Sequence, residues 1–179
     1  MRMFVAAWPD GATRDVLSSL GLPTVPGLRV VGPDEWHVTL RFLGEVDDRV
    51  VPPLSTALGA SARPVPGPAR AVLGPATAWF AGGRVLQVPV SGLEELASAV
   101  RWATGPLVAG TGTPEPPFVG HLTIARAGPG RPGAATRSAL AGIPCTSTFP
   151  VDALHLVGSR PTPDGARYTA LGSAPLPVD

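Results

Sequence analysis

Lysine is missing from this sequence, and all 14 of its basic residues are arginines. This absence excludes a lysine nucleophile, a Schiff base and the lysine that holds phosphates in a P-loop. It also excludes an ATP-dependent ligase that works through an adenylated lysine. Any catalytic chemistry in this protein must therefore use other side chains.

Cysteine, net charge and long apolar runs are also scarce. The single cysteine, Cys145, permits no disulfide within the chain and fits a reducing cytoplasm, where we expect the protein to work. The net charge of +1 argues against an extended duplex-binding surface, although a few cations are enough to hold one phosphate. No apolar run approaches the roughly 20 residues that span a bilayer, and the opening MRMFVAAWPDG turns polar too soon for a signal peptide. We expect neither a membrane nor an obligate protein partner.

Proline and glycine are plentiful, with 23 and 22 residues, and they separate short apolar runs. The periodicity of these runs predicts eight strands and four helices. The predicted strands are Met3–Trp8, Leu28–Val31, Trp36–Phe42, Ala69–Leu73, Val85–Val90, Phe118–Ala125, Phe149–Val157 and Ala166–Leu171. The predicted helices are Thr13–Leu20, Asp47–Ala62, Leu93–Trp102 and Ala134–Leu140, with a loop from Gly105 to Pro117. Because this order lacks a regular βαβ rhythm, it predicts an α+β fold with antiparallel sheets in one domain over residues 1–179.

Two segments of the chain share a pattern. Trp36-His37-Val38-Thr39-Leu40 resembles Gly120-His121-Leu122-Thr123-Ile124, and each follows a predicted strand and helix. Side chains of a strand alternate between its two faces, so each histidine shares a face with the threonine two residues later. If the two strands lie side by side, His37, Thr39, His121 and Thr123 meet in a single cleft.

Two histidines and two threonines can cleave a phosphodiester without a metal. A neutral imidazole accepts the proton of the attacking hydroxyl or water, while an imidazolium protonates the departing oxygen. The threonine hydroxyls can donate to the phosphate oxygens as charge develops. A single His-x-Thr occurs by chance in many strands, and one such histidine is usually structural. Two of the three histidines begin the same pattern here, which favours a catalytic pair. Metal binding is an alternative, but no carboxylate set accompanies either histidine, so we expect no metal.

The paired motifs resemble the 2H phosphoesterase superfamily. Within it, the chain is similar to the RNA 2′,3′-cyclic phosphodiesterases, historically called 2′-5′ RNA ligases. The first motif, WHVTLRFLGEV, and the second, PFVGHLTIAR, carry most of the likeness. The opening MRMFVAAWPDGATRDVL and the ending VDALHLVGSRPTPDGARYTAL extend it to nearly the full length.

This resemblance implies a bilobal α+β fold, with two antiparallel sheets around a central cleft, helices outside and a pseudo-two-fold duplication. It also implies hydrolysis of RNA 2′,3′-cyclic phosphate ends to 2′-phosphomonoesters, with reversible ATP-independent 2′-5′ ligation as an added capacity and without a cofactor. In the family the first histidine is the proton donor and the second the acceptor, so His37 is the implied acid and His121 the implied base. The motifs themselves are nearly symmetric and leave these roles open.

Two other functions remain open at this stage. One is a related phosphodiesterase acting on another small cyclic or 2′-5′ linked nucleotide. The other is a non-catalytic protein that binds RNA ends, although such a protein would not need an acid–base pair.

Further residues near the motifs are candidates for weaker reasons. Arg126 could grip a phosphate bidentately, but in a regular strand it faces away from His121 unless a bulge or the strand end intervenes. Phe42 has the same offset from His37 and is expected to pack in the core. Trp36 is expected to be structural, His155 is expected to be structural or exposed, and Tyr168 fits either the cleft border or the core.

Overall fold

The computed structural model describes residues 1–61, 68–80, 82–109, 116–162 and 165–176. These residues form ten strands and four α-helices. The strands are β1 (Arg2–Ala7), β2 (Leu28–Val30), β3 (Val38–Glu45), β4 (Arg70–Leu73), β5 (Ala78–Trp79), β6 (Val85–Ser91), β7 (His121–Ala127), β8 (Ser147–Pro150), β9 (Ala153–Thr162) and β10 (Gly165–Pro175). The helices are α1 (Gly11–Ser18), α2 (Val51–Ser61), α3 (Glu94–Val108) and α4 (Ala134–Leu140).

The strands pair in the order β10-β9-β1-β3-β7-β6-β4-β8, with β2 beside β7 and β5 beside β6. Every recorded pairing between these strands is antiparallel. β3 and β7 share only one recorded pair, Val38 opposite Leu122. The path therefore divides there into two lobes, which confirms the predicted bilobal α+β fold.

The two lobes repeat one unit around this junction. In the first, β1 leads through α1 and the short β2 to β3, the antiparallel neighbour of β1; in the second, β6 leads through α3 to β7, its antiparallel neighbour. His37 immediately precedes β3 and His121 is the first residue of β7, and the next residues, Val38 and Leu122, form the junction. The internal duplication expected from the sequence is present in the backbone.

Matching β-bulges follow the two motifs. Thr39 and Arg41 lie opposite consecutive β1 residues, so Leu40 is the extra residue in β3. Thr123 and Ala125 lie opposite consecutive β6 residues, so Ile124 is the extra residue in β7. A bulge reverses the alternation of side chains beyond it. The side chains three residues after each threonine, Phe42 and Arg126, consequently share the threonine's face and are exposed.

The helices cover the faces of the sheet opposite the cleft and tie the lobes together. α1 begins after Asp10, whose carboxylate accepts a 2.8 Å hydrogen bond from the Thr13 backbone N–H. It crosses to the second lobe, where the hydroxyls of Thr13 and Ser147 on β8 lie 2.8 Å apart. α2 packs against α3, β9 and β10, while α3 packs against β3. Among the described helices, none is both long and apolar enough to cross a membrane.

Some predicted boundaries are wrong. α3 does not end at Trp102: it continues through Gly105 and Pro106 to Val108, because the burial of Thr104 and Val108 offsets the backbone bond that proline removes. The predicted loop from Gly105 therefore begins at Ala109, and residues 110–115 lie outside the described part. Residues 118–120 are not strand, since β7 begins at His121. The predicted strand Phe149–Val157 is split between β8 and β9, whereas α4 has the predicted limits.

Leu58 and Trp102 provide a test of this helical layer. Leu58 on α2 is fully buried, whereas Trp102 on α3 is 84% exposed. We expect Leu58→Ala to lower the free energy of unfolding by about 2–5 kcal/mol, because it leaves a cavity. Trp102→Ala removes a larger side chain but should change the free energy of unfolding by less than about 0.5 kcal/mol, because that side chain is exposed. Urea denaturation followed by circular dichroism measures both, and equal losses would contradict the assigned packing.

Candidate active site

His37 lies just before β3, on the cleft side of the first lobe. Its Nδ1 is 2.6 Å from the backbone oxygen of Glu35, which can only accept a hydrogen bond, so Nδ1 carries the proton. The ring stacks on Phe4 with centroids 4.9 Å apart. Tyr168 and Trp8 contact it edge-on at 5.1 and 5.4 Å. These contacts fix the ring and leave Nε2 for a ligand.

His121, the first residue of β7, is held in the same way. Its Nδ1 donates to the backbone oxygen of Val119 at 2.8 Å, again two residues earlier in the chain. Phe80 meets the ring edge-on, with centroids 4.4 Å apart. Both neutral imidazoles therefore carry their proton on Nδ1 and present Nε2 as an acceptor.

The surroundings of the two rings make both imidazoles harder to protonate. Burial is the main cause that lowers the pKa of His37 to about 4, opposed by its bond to the Glu35 carbonyl. The charges of Arg126 and His121 lower it further. Burial also lowers the pKa of His121, with a smaller contribution from Arg126. The positive charge of Arg126 therefore disfavours protonation of both histidines.

The two motif threonines differ in exposure. Thr39 borders the cleft and is half-buried, whereas Thr123 is 9% exposed. Gln87 on β6 lies opposite Thr123 in the register and so shares its face. Its side chain is also buried, and within the described residues its Oε1 has no hydrogen-bond partner. Gln87 is therefore a further candidate site residue. The sequence analysis did not identify it, because only the β6–β7 register places it beside the second motif.

Two cavities flank the histidines and share three residues, Thr39, Phe42 and Arg126. The cavity on the His37 side has a volume of about 380 Å³, and the one on the His121 side about 470 Å³. The His37-side cavity is further lined by Arg2, Phe4, Arg29, Ser159, Pro161, Gly165, Ala166 and Tyr168. The His121-side cavity is further lined by Leu40, Arg41, Phe80, Arg101, Pro116, Pro117, Phe118 and Val119. The shared residues make the two cavities halves of one cleft.

The bulge at Ile124 turns Arg126 to the cleft, where it lines both cavities, whereas in a regular strand it would face away from His121. Phe42 is turned to the cleft by the bulge at Leu40 and is 50% exposed, so its predicted burial in the core is wrong. Tyr168 borders the cleft. Trp36 is 5% exposed, as expected for a packing residue.

His155, the third histidine, lies apart from the two motif histidines. It is half-buried on β9 and lies 5.9 Å from the Trp8 ring, and burial lowers its pKa. It lines neither cavity of the cleft. Within the described ranges, no group of three or more His, Cys, Asp or Glu side chains is arranged to hold a metal ion.

Comparisons with known proteins found a similar sequence family and similar folds. A sequence model described as "LigT like Phosphoesterase" matches residues 21–70, which include the first motif. No curated protein matches the sequence. The crystal structure of TT0787 of Thermus thermophilus is 27% identical, with a TM-score of 0.84 and 98% of each chain covered.

Structures of LigT from E. coli share the fold. The complex with NADP+ is 24% identical, with a TM-score of 0.72, and covers 98% of this chain and 97% of that one. The complex with 3′-AMP is 22% identical, with a TM-score of 0.68, and covers 98% and 96%. Together, the sequence match over the first motif and the full-length structural likeness show that this chain has the fold of TT0787 and E. coli LigT and that its residues 21–70 are similar to the LigT-like phosphoesterases.

Proposed function

We propose that this protein hydrolyses RNA 2′,3′-cyclic phosphate ends to 2′-phosphomonoesters by acid–base catalysis with His37 and His121. The observation that carries the proposal is the matched pair of imidazoles. Each donates Nδ1–H to a backbone carbonyl and leaves Nε2 for the cleft, and Arg126 lines the cavity beside each of them. E. coli LigT, which has the same fold, has been crystallised with phosphate, 3′-AMP, ATP and NADP+, which supports a nucleotide substrate.

The proposed reaction is an in-line displacement at phosphorus. His121 Nε2 accepts a proton from water as the water oxygen attacks. The bond to O3′ breaks on the opposite side, where the protonated His37 donates its Nε2 proton to that oxygen. Arg126 and the hydroxyls of Thr39 and Thr123 donate to the non-bridging oxygens. The product keeps the phosphate on O2′, and the assignment of acid and base follows the family resemblance.

Residues 1–179 form a single catalytic domain in this proposal. α1 of the first lobe packs on β8 of the second, and α3 of the second lobe packs on β3 of the first. Each lobe therefore depends on a helix that packs across the boundary between them. The protein would work in the cytoplasm without a cofactor or an obligate protein partner.

Substitution of the three histidines tests the catalytic pair. We expect His37→Ala and His121→Ala each to lower kcat/KM for adenosine 2′,3′-cyclic phosphate by roughly 10²–10⁴-fold, because each removes one proton transfer. The double variant should lose less than the product of the two single losses, since the pair acts as a unit. Thr39→Val and Thr123→Val should cost less. His155→Ala, outside the cleft, is the matched control, and a near-wild-type His121→Ala enzyme would refute the mechanism.

The protonation of His37 should respond to the substrate. With its pKa at about 4, His37 is neutral in the free protein near pH 7 and cannot act as an acid. A bound phosphate brings negative charge beside Nε2 and favours the imidazolium. An NMR titration should therefore show the His37 pKa rising by at least about one unit when adenosine 2′-phosphate saturates the site. The resonance of His155 should stay in place, and an unchanged His37 midpoint would contradict the proposed acid.

The reaction is expected to need no metal, because the imidazoles and Arg126 supply both proton transfers and charge stabilisation. Turnover should be the same after dialysis against a chelator and after addition of Mg²⁺ or Mn²⁺. Activity that disappears with chelator and returns with a divalent ion would contradict this. No turnover on any cyclic nucleotide, together with binding of RNA ends, would favour the non-catalytic alternative.

A second activity, 2′-5′ bond formation or cleavage, is favoured by the His121-side cavity. Water needs little room, yet this cavity has a volume of about 470 Å³ and is lined by Phe80 and Phe118. It could hold a nucleoside whose 5′-hydroxyl replaces water as the nucleophile. An RNA with a cyclic phosphate end and an excess of 5′-hydroxyl RNA should then yield a 2′-5′ linked product without ATP. If another cyclic or 2′-5′ linked nucleotide is the main substrate, its kcat/KM for hydrolysis should exceed that of adenosine 2′,3′-cyclic phosphate.

A further inference from the structure

The His37-side cavity is built differently from its counterpart. Its outer wall carries two arginines, Arg2 and Arg29, in addition to the shared Arg126. Arg2 and Ser159 are opposite each other in the β1–β9 pairing, and Ser159 is opposite Tyr168 in the β9–β10 pairing. A guanidinium and two hydroxyl-bearing side chains therefore form a row across three neighbouring strands, on the face that also carries Phe4 and His37.

The charges at this wall are only partly neutralised. Arg29 binds Glu35 through both terminal nitrogens, at 2.7 and 3.1 Å, so this pair is internally balanced. Arg2 has a looser partner: its Nε is 4.0 Å from a Glu45 oxygen, and its side chain is 57% exposed. An exposed ion pair of this length contributes little, so Arg2 can turn to an anion without a large loss.

The geometry of the proposed reaction determines which part of a substrate lies against this wall. O3′ departs on the His37 side and stays attached to the ribose, whereas water attacks from the His121 side. The ribose therefore lies on the His37 side, and the group on its 5′ oxygen extends beyond it into this cavity. In an RNA chain that group is a phosphate.

We propose that Arg2, with Ser159 and Tyr168, forms a second phosphate subsite that binds the phosphate on the 5′ oxygen of the terminal nucleotide. This inference rests on the proposed function for its orientation. The subsite makes the end of an RNA chain a better ligand than a cyclic nucleoside phosphate that has a free 5′-hydroxyl. Arg2 is here a specificity-determining residue and takes no part in proton transfer.

Binding measurements test the subsite without depending on turnover. Calorimetry compares adenosine 2′-phosphate with adenosine 2′,5′-bisphosphate on the intact protein. We expect the bisphosphate to bind at least roughly tenfold more tightly, as one charge-assisted contact allows. Arg2→Gln should reduce this ratio to less than about threefold. Arg167→Gln is the matched control: it removes an arginine of β10 that lies opposite Arg160 and lines neither cavity of the cleft, so the ratio should remain.

Turnover provides the second arm. We expect kcat/KM to be higher for adenosine 2′,3′-cyclic phosphate that carries a 5′-phosphate than for the compound without it, because its KM is lower. This preference should be present in the wild type and in Arg167→Gln and should be largely lost in Arg2→Gln. Equal binding of the two ligands by the wild type, or equal effects of Arg2→Gln and Arg167→Gln, would overturn the subsite. A protein that shows the binding pattern but no turnover would refute the proposed hydrolysis and leave the subsite standing.

Discussion

The contact between β3 and β7 at Val38 and Leu122 is the constraint on which the site depends. Both residues are fully buried and point away from the cleft, so the adjoining motif residues point into it. In an antiparallel pair the register is fixed by one contact, and a slip of one residue would turn a whole motif into the core. The apolar members of the two motifs thus determine where the polar members meet.

The two halves share a frame but differ in what surrounds the imidazole. His37 is enclosed by Phe4, Trp8 and Tyr168, whereas Phe80 is the ring recorded against His121. This enclosure by three rings accompanies the burial that lowers the pKa of His37 to about 4. In the proposed mechanism, such a ring becomes protonated only when the phosphate is bound and then gives up its proton readily. The asymmetry needed for separate acid and base roles therefore lies in the packing around the motifs.

Much of the fold and the core of the site could be predicted from the sequence. The alternation of side chains along a strand was enough to predict that His37 and Thr39 share a face. The repeated His-x-Thr pattern was enough to pair them with His121 and Thr123. The positions of Phe42 and Arg126 were not predictable in the same way, because a bulge leaves no mark in apolar periodicity. The length of α3 was missed because Gly105 and Pro106 normally end helices, and tertiary burial outweighed that preference here. Gln87 and Arg2 depend on cross-strand register, which a single sequence does not specify.

The division of labour between the histidines can be tested with a leaving group that needs no proton. In 3′-deoxyadenosine 2′-(4-nitrophenyl phosphate), nitrophenolate takes the place of O3′, and its release is followed by absorbance. If His37 is the acid, His37→Ala should lose far less activity on this substrate than on adenosine 2′,3′-cyclic phosphate. His121→Ala should lose about as much activity on both, because attack by water still needs a base. Rescue of His121→Ala instead of His37→Ala, or of neither variant, would contradict the assignment of His37 as acid and His121 as base.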